Sequence, residues 1–490
     1  MVDYSEDANE QPQPFNANKL EPAKKRKRSR SPLVSVSTTT KPSKQTDLQT
    51  NNELKRSTSP PYRKQKRPGK RARIGDAERE QIRQRRLERE KELEAAAAAA
   101  NATKGIHDAV KQHYNAVPER GRDWRKTSSR IKGLRSFNNW VKSVIIQKFS
   151  PNEDFKPSVK YNDDAFSEKS TTNTGISVLD IGCGKGGDLG KWQLAPQPVE
   201  LYVGIDPADI SITQAKERFR QMASRDRGSR SGRGNHGKPH QRLFYGEFYV
   251  QDCFGESIEK IPIIRKVGFD GSGRPSSFGG GGFDVVSMMF CMHYAFENEM
   301  KARLMLKNVA GALKKGGRFI GCIPNSDVLS EQVKKFNARM KTKLEKDQAV
   351  NQHDSKNNEE SEVEEGEAED TASWGNGIYK VRFPGETPED GIFRPPYGWK
   401  YSFYLHEAVE EVPEYVVPWE MFRAIAEDFN LEMQYHKPFL DIWEAEKDDE
   451  VLGPLSERMG VRQRDRGPLL ISKEEIEAAS FYVAFCFYKV

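Results

Sequence analysis

The chain has 490 residues, of which 36% are hydrophobic and 31% charged, with a formal net charge of +7. That length supports at least one large domain with its own core. No apolar run approaches the roughly 20 residues of a membrane span, and the start MVDYSEDANEQ lacks the basic and apolar stretches of a secretory leader, so a soluble intracellular protein is expected. The five cysteines are scattered singly with no CxxC pair, which argues against both a disulfide framework and a thiolate metal site.

The charge is uneven. Residues 1–100 carry 24 Lys+Arg against 14 Asp+Glu, while the remainder is mildly acidic. This first stretch is too poor in apolar side chains to offset the entropy of ordering, so residues 1–104 are expected to form a disordered basic tail. Lys24–Arg30 (KKRKRSR) and Lys66–Arg73 (KRPGKRAR) have the density of nuclear import or nucleic-acid-binding clusters. Residues 76–100 then turn to strong helix formers with i,i+4 charge pairs but no apolar face, as in an exposed helix.

Apolar periodicity begins at Ile106, Val110 and Tyr114 and continues through Leu134, Phe137, Val141, Val144 and Ile145, spacings that predict helices with one buried face. From Gly175 short β-rich runs alternate with helical stretches: 176–182, 201–206, 243–250, 283–290 and 317–324. This alternation predicts an α/β domain over 105–490 with a mostly parallel, doubly wound sheet. Three inserts are expected to be mobile surface loops: the Gly/Arg-rich 224–240, the Gly-rich 268–282, and 347–370, where EESEVEEGEAED packs eight carboxylates into twelve positions. Aromatic-rich strands, a helix near 418–428, a helix starting at Ser472 and a final strand (FYVAFCFYKV) complete the chain.

The densest chemistry is in VLDIGCGKGGDLGKW, residues 178–192, where an apolar strand runs into a glycine-rich turn that opens a helix. Glycine lets the backbone approach a ligand closely, and a helix start supplies free amides. Gly182, Gly184 and Gly187 also satisfy the G-x-G-x-x-G dinucleotide fingerprint, with Asp206 about twenty positions on, so a nicotinamide or flavin enzyme competes. Asp180, two residues before the first glycine, would repel a pyrophosphate and attract a cation such as the sulfonium of S-adenosylmethionine. Asp206 ends the second strand, where a carboxylate can hold ribose hydroxyls. Asp252 follows the third, where it can meet an adenine amino group.

Together with SFNNWVKSVII (136–146), GIDPADISI (204–212), FCMHYAFE (290–297), YLHEAVEEVPEYVV (404–417) and FLDIWE (439–444), this segment resembles the mRNA cap guanine-N7 methyltransferases over residues 105–490. The resemblance implies a Rossmann-like class I methyltransferase fold with added N-terminal helices. It implies S-adenosylmethionine as methyl donor, no metal, and a GpppN-capped nascent mRNA as substrate. Position by position, Lys142, Gly182, Gly184, Asp206, Asp252 and Tyr294 match the cofactor side, with Asp180 beside them. Asn138, Asn139, Lys185, Lys191, Arg218, His293, Glu414 and Tyr482 match the cap side. Met289 stands where many members have a cofactor-contacting glutamine.

Guanine N7 has no proton to lose, so methyl transfer needs no general base. His293, Tyr294 and Glu414 are therefore expected to act by position and charge. The resemblance further implies a nuclear protein associated with RNA polymerase II and the other capping enzymes, and a monomer is expected. Competing readings are a non-catalytic cap- or RNA-binding protein on the same scaffold and a dinucleotide-dependent oxidoreductase.

Overall fold

The computed structural model describes residues 106–116, 124, 127–155, 175–231, 243–270, 281–353 and 371–490. The chain divides into two units at Arg79/Glu80, and every described residue belongs to the second. The basic tail, its two clusters and its charged helical stretch lie outside the described residues.

The periodic segments at the start form α1 (Ile106–Ala116) and α2 (Lys132–Phe149). The five β-rich runs become β1 (Ile176–Ile181), β2 (Val199–Asp206), β3 (Tyr245–Val250), β4 (Phe283–Met289) and β5 (Leu313–Pro324). Helices α3 (Leu189–Gln193), α4 (Asp209–Ser231), α5 (Pro262–Val267) and α6 (Glu299–Ala312) connect them, with a 3₁₀ segment at Met292–Glu297. β10 (Leu431–Pro438) and β11 (Tyr482–Lys489) complete a seven-stranded sheet in the order β10-β11-β5-β4-β1-β2-β3. Only β11 runs against the others, being antiparallel to both β5 and β10. The order reverses at β1, which pairs with β2 on one side and β4 on the other. That switch point opens a crevice at the strands' carboxyl ends.

The sheet is covered on both faces, as its continuous apolar strands require. In β1, Ile176 and Val178 join a core with α2, whereas Leu179 and Ile181 join a second core with α5 and α6. The aromatic-rich region that the sequence left without topology is a separate antiparallel sheet, β6 (Ser373–Gly375), β7 (Tyr379–Arg382), β8 (Lys400–Leu405) and β9 (Val409–Tyr415). Two inserts differ from expectation in their first residues. α4 runs on to Ser231, and α7 (Ser326–His353) carries the chain into the acidic insert. In both places strong helix formers precede the low-complexity sequence, and no proline stops the helix.

Near the chain end α8 (Trp419–Glu427) and α9 (Phe439–Glu446) pack on β10, whereas α10 (Leu452–Arg458) and α11 (Lys473–Ser480) pack on α2. The fully buried Trp140 of α2 donates its indole N–H to the Leu452 carbonyl at 3.0 Å and meets Trp443 edge-on at 5.2 Å. The helix start expected at Ser472 is a capping box with Glu475. Glu475 also serves α2. Its Oε1 accepts the Leu134 amide at 3.0 Å, where Ile131 at the helix start offers no side-chain cap. Replacing Glu475→Ala strands that buried N–H and dissolves the box. Unfolding free energy should fall by about 1–3 kcal/mol, read from the denaturant midpoint at constant slope. An unchanged midpoint would show that α2 does not depend on this carboxylate.

Candidate active site

A cavity of ≈ 440 Å³ opens at the switch point, between the glycine turn, the end of β4 and the turn joining β8 to β9. Gly182 has φ +72°, and a Cβ there would lie 2.5 Å from the Cys291 sulfur. Gly184 has φ +51° and no atom within 4 Å of its would-be Cβ, so its bare backbone faces open space in the cavity wall. Asp206, at the end of β2, accepts the Gly184 amide at 2.9 Å and the Ala208 amide at 2.8 Å. At the end of β4, Phe290 holds φ +65°, a left-handed backbone that a phenylalanine rarely adopts, and it too lines the cavity. Across from these, Tyr114 of α1 bonds hydroxyl to hydroxyl with Tyr294 at 3.1 Å.

Beside the cavity lies a buried polar cluster. Tyr401 and Glu414 face each other across β8 and β9, and the Tyr401 hydroxyl donates to Glu414 at 2.9 Å. The other Glu414 oxygen is 3.4 Å from His293 Nε2. Burial first, and the Glu414 carboxylate second, hold the Tyr401 and Tyr482 phenols well above their ordinary range. Both His293 nitrogens and the Asn138 amide oxygen are buried without a hydrogen-bond partner, an arrangement that native sites reserve for a ligand or water.

Beneath the glycine turn is a second cluster. Asp188 accepts Lys142 at 2.8 Å and Lys191 at 2.7 Å, and Lys191 also donates to Asn139 at 2.7 Å. Burial would raise the Asp188 carboxyl, but the two lysines carry it well below its usual value. Burial likewise opposes the Lys142 charge, yet Asp188 keeps that ammonium above its ordinary value. At Lys191 burial prevails, and the value falls.

The sequence model of the mRNA (guanine-N(7))-methyltransferase domain matches residues 97–490. The chain belongs to this family. Among its relatives, the mRNA cap guanine-N(7) methyltransferase of Pyricularia oryzae is 59% identical over 480 residues, 97% of this chain and 91% of that protein. The Aspergillus clavatus protein of the same name is 56% identical, over 87% of this chain and 77% of its own. The Schizosaccharomyces pombe protein is 42% identical, over 78% and 82%.

In this methyltransferase the residues singled out from sequence converge on one end of the sheet but occupy distinct places. Gly182, Gly184, Asp206, Met289 and Tyr294 line the cavity, as do Asn138 and Lys185. His293 and Glu414 form the buried cluster, with Tyr482 packed edge-on against Phe290 at 4.9 Å. Arg218 donates to the Gly186 carbonyl at 3.1 Å, bracing the turn. Lys142, Lys191 and Asn139 are drawn together under the turn by Asp188. Asp252 accepts the Phe254 and Gly255 amides at 2.9 and 3.0 Å, and it is the neighbouring Cys253 and Phe254 that line the cavity.

The expected rim of three acids differs at Asp180. It shares the α2 side of β1 with Ile176 and Val178, is 2% exposed, and gives its oxygens to Tyr202 and Ser287, both at 2.6 Å. Sequence reasoning missed Tyr114, Tyr401 and Asp188. Tyr114 looked like an ordinary core position, and Tyr401 becomes visible only through its register with Glu414. Asp188 stands like a helix cap before α3 yet makes no capping bond.

Burial, then the nearby Asp188 carboxylate, push Asp180 up to about 6 from 3.8. The folded chain therefore holds this proton through a window in which the unfolded chain has released it. Stability should fall as pH rises from about 4 to about 6, by on the order of 2–3 kcal/mol, and stay lowered above. Subtracting the unfolding free energies of Asp180→Asn from those of the native protein isolates this loss; a difference independent of pH would contradict it.

Proposed function

We propose that this chain transfers the methyl group of S-adenosylmethionine to N7 of the guanosine in a GpppN cap, giving cap 0 RNA. The observation that carries the reading is the family match, which covers the described structure and the whole site. The three relatives cited above are all named as methyltransferases of this kind, which favours neither an oxidoreductase nor a non-catalytic scaffold.

The cavity suits the cofactor. Bare glycine backbone at Gly182 and Gly184 and a pre-oriented Asp206 carboxylate are what an adenosyl ribose needs, and the unpartnered Asn138 oxygen offers an acceptor. When bound, S-adenosylmethionine supplies an electrophilic methyl on a positively charged sulfur. Asp206 is assigned the ribose hydroxyls and Asp252 the adenine edge. Met289 lends backbone rather than a side-chain amide, since its sulfur sits 3.7 Å from Cys322. Lys142 acts through Asp188, fixing the turn.

On the cap side, Lys185 and Arg218 are assigned the triphosphate, with Lys191 and Asn139 adjoining. Glu414, fixed by Tyr401, is assigned the guanine N1 and N2 hydrogens, and its charge favours the cation that develops on the purine. His293 and Tyr294 hold the base plane and exclude water, and neither exchanges a proton with N7. A nuclear location rests on the clusters Lys24–Arg30 and Lys66–Arg73. Association with RNA polymerase II and the other capping enzymes follows from the resemblance alone, and a monomer is part of the same proposal.

A single-turnover reaction with labelled S-adenosylmethionine and GpppG-capped RNA should place the label at guanine N7. Glu414→Gln should slow that step by about 10²–10³-fold while the cofactor still binds. Label at another position, or no transfer, would refute the reading.

A further inference from the structure

A second depression, of ≈ 990 Å³, lies on the adjoining face of α2, between α2, the glycine turn with α3, and α10. It is contiguous with the site, because Arg135 lines both spaces and the glycine turn borders both, Gly184 on one side and Gly187 on the other. Among the described residues its cations are Lys132, Arg135, Lys191 and Arg458, of which Lys191 is paired with Asp188 and Arg135 with Glu407, and its one carboxylate is Glu457. Glu457 is itself occupied, accepting the Arg466 amide at 3.0 Å and lying 3.8 Å from the Arg462 guanidinium. Lys132 and Arg458 are exposed on opposite walls. Gly187 and Gly190 are exposed on the floor, with no atom within 4 Å of either would-be Cβ. Among the described residues no aromatic ring lines the groove; its apolar members are Leu194, Leu455, Met459 and Leu470.

We propose that this groove carries the first nucleotides of the transcript that follow the cap, a reading that rests on the proposed cap methylation. Cations on two walls and bare glycine backbone on the floor match a phosphate chain leaving the triphosphate residues Lys185 and Arg218 past the adjoining Lys191. The net positive lining favours a polyanion. Without a stacking ring, the groove reads the backbone and not the bases, so methylation is indifferent to the sequence after the cap. Lys132 and Arg458 are the residues that distinguish a capped RNA from an isolated cap dinucleotide, and neither belongs to the cofactor or guanine sites.

The test compares GpppG dinucleotide with a GpppG-capped unstructured oligonucleotide, using native protein and the double variant Lys132→Gln/Arg458→Gln. The variant should leave kcat and KM for the dinucleotide unchanged, which also certifies its fold. Its KM for the capped oligonucleotide should rise about fivefold to tenfold at low salt, and the slope of log KM against log salt should fall by about 1.4, the value for two phosphate contacts on a single strand. An unchanged KM for the oligonucleotide would overturn the proposal and leave the groove to an acidic polypeptide. An equal loss on both substrates would overturn it by placing the two cations in the cap site. Failure of the native protein to methylate N7 of either substrate would instead remove the functional reading beneath it.

Discussion

The buried contact of Asp188 with Lys142 and Lys191 is the constraint on which the site depends. The glycine turn is almost bare of side chains, so something outside it must fix its position. Asp188, directly after the turn, does so by gripping Lys142 of α2, the helix that also presents Asn138 and Asn139. α2 is in turn anchored through Trp140 to α10 and through Glu475 to α11. Two ammoniums and two carboxylates, Asp180 included, are thus buried together. With Asp180 ionising near 6, the cluster is close to neutral at physiological pH. Removing Asp188 would leave two buried lysines against the single Asp180 carboxylate, the situation in which a buried ion pair is costly to break.

This arrangement explains which parts of the molecule were legible in the sequence. β1 and β4 were readable because strands buried on both faces are continuous apolar runs, and β2, β3 and β5 because their β-rich runs alternate with helical stretches. The glycine turn was readable because close backbone approach demands glycine in consecutive order. The separate sheet β6–β9 was legible only as aromatic-rich strands, since β7 and β8 alternate like any half-buried strand and which strands pair is set by tertiary contact. Glu414 was singled out by the family resemblance alone, and its register opposite Tyr401 supplies the partner that the sequence did not show. Asp180 shows the converse. Its place before the glycines suggested a carboxylate facing the cofactor's sulfonium, but the pleat of β1 turns it toward α2, into the grip of Tyr202 and Ser287.

Function follows from geometry that holds two reactants and from residues that do little chemistry of their own. One side of the switch point offers bare backbone and the Asp206 carboxylate; the other offers a buried histidine, glutamate and tyrosine cluster aligned by a second sheet. Such a site lowers the barrier by alignment and by a preorganised field, terms that together reach about 10 kcal/mol in favourable cases.

That claim is tested most directly by the rate of a single turnover, with both substrates saturating, measured across pH 6 to 9. If His293 and Glu414 act by position and charge, the rate is flat through the histidine range near 6.5. A rate that rises or falls with one ionisation in that range, after binding is saturated and in the Asp180→Asn variant as well, would make His293 a proton-transfer group and contradict the account.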